Sequence, residues 1–158
     1  AVNGVAAGAG ANVALACDFV LAKSSAKFIQ AFANIGLIPD SGGTYWLPRL
    51  VGMARAKSLT MLGTPLSAAE AQSMGLIYKA VEDSAFEAEV EGLSRTLASM
   101  PTRGLGLTKR ALHAAQSNCL NDQLALELDL QFQAAETEDY REGVQAFLDK
   151  RKPTFVGR

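Results

Sequence analysis

Apolar residues change their spacing once along this chain, near Val81. Up to that point they come in short runs punctuated by glycine. The run Ala1 to Ala7, turned at Asn3-Gly4, predicts a strand. Gly8-Ala9-Gly10 follows as a corner, and the small and aliphatic residues of "ANVALACD" (11–18) predict a closely packed helix. Phe19 to Ser24 reads as a short strand, and Phe28 opens another strand-like piece before the chain tightens around Pro39. A helix is expected over 42–52, with Pro48 early enough to be tolerated or to bend it, and a second over 54–62 that stops at Gly63. Ser67 and Glu70 have the spacing of a capping box ahead of a short helix ended by Gly75, and Leu76 to Val81 reads as a strand.

After Val81 no strand is expected. "SAFEAEVEGLSRTLASM", "TRGLGLTKRALHAAQ", "NDQLALELDLQFQAAET" and "DYREGVQAFLDKR" each carry apolar residues three and four apart, the period of an amphipathic helix. The change of period separates residues 1–82 from residues 83–158. The apolar faces of the four helices exceed what they can bury against one another, so they are expected to dock on the first region or on other subunits. Neither region contains an internal repeat or a low-complexity segment.

Composition narrows the classes of function. With 158 residues, 49% of them hydrophobic and 20% charged, the chain holds enough apolar material for one core. Fifteen Lys and Arg against sixteen Asp and Glu give a net charge of -1, so no global field would hold nucleic acid or an anionic membrane. Any anion site must be local. Cys17 and Cys119 are too few and too far apart for a zinc pattern or a disulfide framework, which fits a reducing cytoplasm. No apolar run reaches the ~18–20 residues of a membrane-spanning helix, and no basic segment precedes an apolar one at the start. The chain opens without Met, inside what reads as a buried strand, as a fragment would.

Two stretches could carry chemistry. A glycine-rich turn at a helix start leaves backbone N–H groups unpaired and aims the helix dipole at whatever lies ahead. Gly8-Ala9-Gly10 therefore fits an anion or oxyanion site, and fits equally the close packing of a helix on a strand. Phosphate-loop and dinucleotide patterns fail, because no Gly-Lys-Ser/Thr occurs and Val13 stands where G-x-G-x-x-G needs glycine. The second stretch is "IGLIPDSGGTYWLPRL" (35–50). Leu37, Ile38 and Pro39 precede Asp40 and Trp46 follows it, so its carboxyl is expected to be withdrawn from water, as suits a proton carrier. The same carboxylate could cap the helix near Gly42, unless Ser41 caps it instead. His113, the single histidine, lies among Lys109, Arg110 and Gln116 and reads as a surface residue, which argues against a Ser-His or Cys-His hydrolase. Cys17 is expected to be a small core residue. By composition, "DKRKP" (149–153) is a solvated basic end.

The four segments "AVNGVAAGAGANVALACD", "GLIPDSGGTYWLPRLVG", "LSAAEAQSMGLIYKAV" and "EGVQAFLDKRKPTF", in this order and spacing, resemble the enoyl-CoA hydratase/isomerase, or crotonase, family over essentially all of the chain. The resemblance implies an α/β fold: the C-terminal part of a ββα spiral core (1–82), then a helical region (83–158) that builds trimers or dimers of trimers and contacts CoA. It implies an acyl-CoA thioester substrate, no cofactor beyond the CoA that the substrate carries, and a chain that is roughly the C-terminal three fifths of a subunit.

In the family, two backbone N–H groups hold the thioester oxygen. One maps onto Ala9 between Gly8 and Gly10, provided the backbone there avoids glycine-only angles; the other lies outside this sequence. Family hydratases use two glutamates, at the positions held here by Asn12 and Phe32, so the acid/base pair of hydration is absent. Asp40 matches the aspartate that family isomerases carry before the helix. This combination is most similar to isomerases of phenylacetate catabolism that act on a ring epoxide and shift double bonds in CoA esters.

The resemblance thus implies Asp40 as proton carrier and Ala9 as oxyanion donor, with Gly8, Gly10, Asn12 and Phe32 around the acyl group. Phe28, Phe32 and Trp46 could line an aromatic-tolerant pocket or belong to the core. Phe147 is implied at the adenine and Lys150 at a phosphate of CoA. Three alternatives stay open: an enoyl-CoA hydratase, a Δ3-Δ2-enoyl-CoA isomerase, and a non-catalytic CoA-binding or assembly module.

Overall fold

In the computed structural model, which describes residues 1–158, the short apolar runs before residue 82 become strands of two or three residues. They are β1 (Val5–Ala7), β2 (Leu21–Lys23), β3 (Lys27–Ile29), β4 (Leu66–Ser67) and β5 (Lys79–Val81). The helices between them are α1 (Ala9–Leu15), α2 (Gly43–Leu62) and α3 (Ala68–Ser73). Successive turns of chain place one strand in each of two sheets. β1 pairs in parallel with β3, which pairs antiparallel with β4; β2 pairs in parallel with β5, and Val2 bridges Ala22 in the same sense. The result is a ββα spiral whose turns stack strand upon strand.

Small residues let the layers approach. Ala6, Ala11, Ala22, Ala26, Ala56, Ala68 and Ala71 share the core with Leu15, Phe28, Leu47, Val51, Leu66, Leu76 and Ile77. Each buried side chain here is a modest contribution, at about 25 cal/mol per Å² of apolar area removed from water. The expected break between two helices is a kink at Gly52, whose φ of 77° and ψ of 161° interrupt α2. The capping box forms as expected, with Ser67 and Glu70 each bonding the other's backbone N–H. The strand expected over 76–81 is shorter: the N–H groups of Leu76 and Ile77 donate instead to Ala71 O at the end of α3 (2.8 and 3.4 Å).

The chain forms two compact units, Ala1–Glu91 and Gly92–Arg158. The first extends past residue 82 into α4 (Phe86–Ala98), because Phe86 is buried and has Lys23 Nζ 5.5 Å above its ring. In the second, α5 (Thr102–Ala114) packs on α6 (Leu120–Ala135), and α6 on α7 (Glu138–Leu148). No strand follows Val81. The final residues fold back along α7. The buried Asp139 carboxylate accepts from Val156 N (2.7 Å) and Gly157 N (2.9 Å), and Glu142 accepts from both guanidinium amines of Arg151 and from Thr154 N. One stripe of α6, Leu120, Leu124, Leu128 and Phe132, faces solvent, so the expected excess of apolar surface is present. No helix is long and apolar enough to cross a membrane.

Candidate active site

In the glycine corner a single residue takes a positive φ. Gly8 takes a φ of 53° and caps α1, while Ala9 and Gly10 enter the helix at ordinary angles. The condition for Ala9 is therefore met: the left-handed position falls on glycine, not on alanine. The first intrahelical bond is donated by Asn12 N to Gly8 O (3.2 Å), which leaves the N–H groups of Ala9, Gly10 and Ala11 ahead of the ladder. Ala9 and Gly10 are exposed; Ala11, Asn12 and Leu15 point inward. Gly8 is itself held from behind, donating its N–H to Ile29 O (2.8 Å). A Cβ on Gly8 would meet the Phe32 ring at 3.6 Å, so Phe32, buried, forms the floor beside the corner.

Asp40 sits on a tight turn. Gly43 N donates to Asp40 O (2.8 Å), and both residues between them have positive φ: Ser41 at 47° and Gly42 at 79°. That pattern is a type I′ turn. Gly42 is the N-cap of α2 and no side chain caps it, so neither Asp40 nor Ser41 is used there. The Asp40 carboxylate has no hydrogen-bond or salt-bridge partner. The expectation that it is withdrawn from water is overturned: Asp40 is exposed, and so are Leu37 and Ile38, because nothing in this chain covers the loop. Trp46 is half-buried and packs over Gly42, whereas Phe28 is a core residue.

Asn12 joins the two features. It is fully buried, its Nδ2 donates to Asp40 O (2.9 Å), and its Oδ1 accepts from Gln30 Nε2 (2.8 Å). A side chain at Gly43 would overlap the Asn12 amide. The direct substrate contact expected of Asn12 gives way to a holding role, since both ends of its amide are engaged inside the protein. Gln30 and Gly43 were not legible as site residues: Gln30 lies far from Asn12 in sequence with no shared motif, and the second glycine of Gly42-Gly43 was the only hint of a close approach. Cys17 is exposed at the end of α1 rather than packed in the core, and no group of residues here could hold a metal ion.

Phe147 and Lys150 lie in the second unit. Phe147 is 82% exposed on the last turn of α7. Lys150 is exposed and left-handed (φ 54°); its N–H donates to Phe147 O and that of Arg151 to Ala146 O (3.2 and 3.0 Å), a Schellman ending with lysine where glycine is usual.

The corner at Gly8 and the Asp40 turn are thus held together in a ββα spiral, with open N–H groups at one helix start and an unpaired carboxylate just ahead of the next helix. The family model for enoyl-CoA hydratase/isomerase matches residues 1–158. A 1,2-epoxyphenylacetyl-CoA isomerase of Escherichia coli is 53% identical over all of this chain and 60% of its own length. A probable enoyl-CoA hydratase of Rhodobacter capsulatus is 54% identical over all of this chain and 62% of its own. A crystal structure of an enoyl-CoA hydratase/isomerase from Mycobacterium abscessus superposes with a TM-score of 0.94 at 35% identity, over 98% of this chain and 60% of that one. The fold is the crotonase fold. The chain belongs to the enoyl-CoA hydratase/isomerase family and spans about 60% of the length of these relatives.

Proposed function

We propose that this chain carries the proton-transferring carboxylate and one oxyanion donor of an acyl-CoA isomerase. The observation that carries the reading is the free Asp40 carboxylate on a turn tied through Asn12 to α1, the helix whose leading N–H groups are open. With the thioester oxygen held by Ala9 N–H and a second donor, negative charge developing on that oxygen is stabilised and the C2 proton becomes acidic. Asp40 removes that proton, and returning it at C4 moves the double bond without change of mass. For an epoxide substrate, polarising the thioester matters more than proton removal.

The relative named 1,2-epoxyphenylacetyl-CoA isomerase supports that compound, converted to its oxepin, as one substrate and an unsaturated CoA ester as another. The side chains at Asn12 and Phe32 support isomerisation over hydration, since neither is a carboxylate. Phe147 and Lys150 are assigned to the adenine and a phosphate of CoA; a lysine ammonium suits phosphate as a compact charge. The exposed stripe on α6 supports assembly of several copies, as a trimer or a dimer of trimers.

The test is mass spectrometry of products after the full-length enzyme is incubated in heavy water with a 3-enoyl-CoA and, separately, with 1,2-epoxyphenylacetyl-CoA. Rearranged products, with deuterium entering the enoyl chain, are expected. Products heavier by one water would replace this reading with hydration, the activity in the name of the Rhodobacter relative.

A further inference from the structure

The loop bearing Asp40 is exposed on its carboxylate side and anchored on its backbone side, and the anchor leads to a residue that no reading of the reaction includes. We propose that Gln30 is a positioning residue for the reaction, acting through Asn12 to fix the Asp40 turn relative to the glycine corner; this rests on the isomerase reading above.

Polarity dictates how the three residues are arranged. Asp40 O can only accept, so Asn12 must present its amino group there at 2.9 Å. That leaves Asn12 Oδ1 facing Gln30, which must in turn present its own amino group at 2.8 Å. The orientation of Gln30 is thus set from the Asp40 end. The consequence is visible at the other end: Gln30 is 5% exposed, and its Oε1 is buried without a partner. An apolar side chain of equal length would avoid that unsatisfied oxygen. The amide is required as a donor to Asn12.

The location of Gln30 gives this donor its importance. It directly follows β3, whose last residue, Ile29, accepts the Gly8 N–H. Two consecutive residues therefore hold both halves of the site: Ile29 fixes the corner that presents Ala9, and Gln30 fixes the turn that presents Asp40. Gly43, which has no side chain to overlap the Asn12 amide, lets that amide sit close against α2, and the Gln30 donor holds its other end. Loss of the Gln30 donor frees Asn12 to rotate, and the turn then shifts against the corner.

The test uses Gln30→Met and Gln30→Glu in the full-length enzyme, with a 3-enoyl-CoA as substrate and Asp40→Asn in parallel. Gln30→Met keeps the volume and removes the orphaned oxygen, so it is expected to fold. Its kcat is expected to fall on the order of 10- to 100-fold, the effect of a small misplacement of a reacting group, with KM changed by no more than about twofold. Gln30→Glu cannot donate when ionised. Its kcat is expected to be low at neutral pH and to rise as the pH falls and the carboxyl regains an O–H, a limb the wild type lacks.

Unchanged kcat in Gln30→Met overturns the proposal, as does a wild-type pH profile in a folded Gln30→Glu; if Gln30→Glu does not fold, Gln30→Met decides alone. If Asp40→Asn is inactive while both Gln30 variants match wild type, the positioning role fails and the isomerase reading stands. If Asp40→Asn turns over like wild type, the assignment of Asp40 fails, and the role of Gln30 with it.

Discussion

Asp40 and Lys150 are both exposed, and each holds an unusual feature that a surface residue has no structural reason to keep. Asp40 makes no bond with its carboxylate although it stands two residues ahead of the α2 N-cap, Gly42, within reach of the helix's open N–H groups. A carboxylate left unused at such a position is available for proton transfer. Asp40→Asn is expected to leave the affinity for a CoA ester within about twofold and to lower kcat by about 10²–10⁴, measured by steady-state kinetics beside equilibrium binding. Lys150 occupies the left-handed position that ends α7, a conformation that costs a non-glycine residue roughly 1 kcal/mol. Lys150→Gly is therefore expected to raise the unfolding free energy by up to about 1 kcal/mol. If Lys150 meets a CoA phosphate, the same variant raises KM for the CoA ester; an unchanged KM would remove it from the site.

The elements were legible wherever the sequence signal is local. The Ser67/Glu70 capping box, the break at Gly52 and the four helices after Val81 each depend on residues within a turn or two, and all are present. What spacing could not give are the bonds between distant elements. Gln30 and Asn12 meet because β3 and α1 stack in successive turns of the spiral, and the burial of Asn12 and exposure of Cys17 follow from which side of α1 faces that stack. Strand lengths were overestimated where the chain spends its N–H groups on a helix end, as at Leu76.

The tail along α7 is another long-range feature, and it titrates. Hydrogen bonds from Arg151, then from Thr154 N, hold the Glu142 carboxyl down near a pKa of about 2, from an ordinary 4.5. A carboxyl depressed in the folded state stabilises above its unfolded value and stops doing so as the pH falls through its folded value. The clasp is thus expected to stay closed above about pH 4.5 and to loosen between there and about pH 2. The Thr154 amide resonance, followed by NMR over that range, should move with it.

At the scale of the molecule, two surfaces are left open. In the first unit Ile35, Leu37 and Ile38 are 73%, 60% and 80% exposed beside Asp40, and in the second the Leu120, Leu124, Leu128 and Phe132 stripe runs the length of α6. Apolar exposure of this kind usually marks a surface that another chain or segment covers. If copies of the protein meet through α6, Leu124→Asp with Phe132→Asp is expected to lower the oligomeric mass in analytical ultracentrifugation. An unchanged mass would place the interface elsewhere.

The corner at Gly8 has a consequence for how such a protein can diversify. Because the positive φ falls on Gly8, any other residue there is strained, even though the Phe32 ring, 3.6 Å from where a Cβ would stand, leaves it ordinary contact room. Ala9 has no such constraint. Its backbone is helical, its side chain is exposed, and its proposed contribution is an N–H that every residue but proline supplies. Position 9 can therefore drift in size without loss of the donor. If the Ala9 N–H is the oxyanion donor, a library saturated at this single codon is expected to keep the donor in every variant but proline, whereas one saturated at Gly8 is expected to favour glycine.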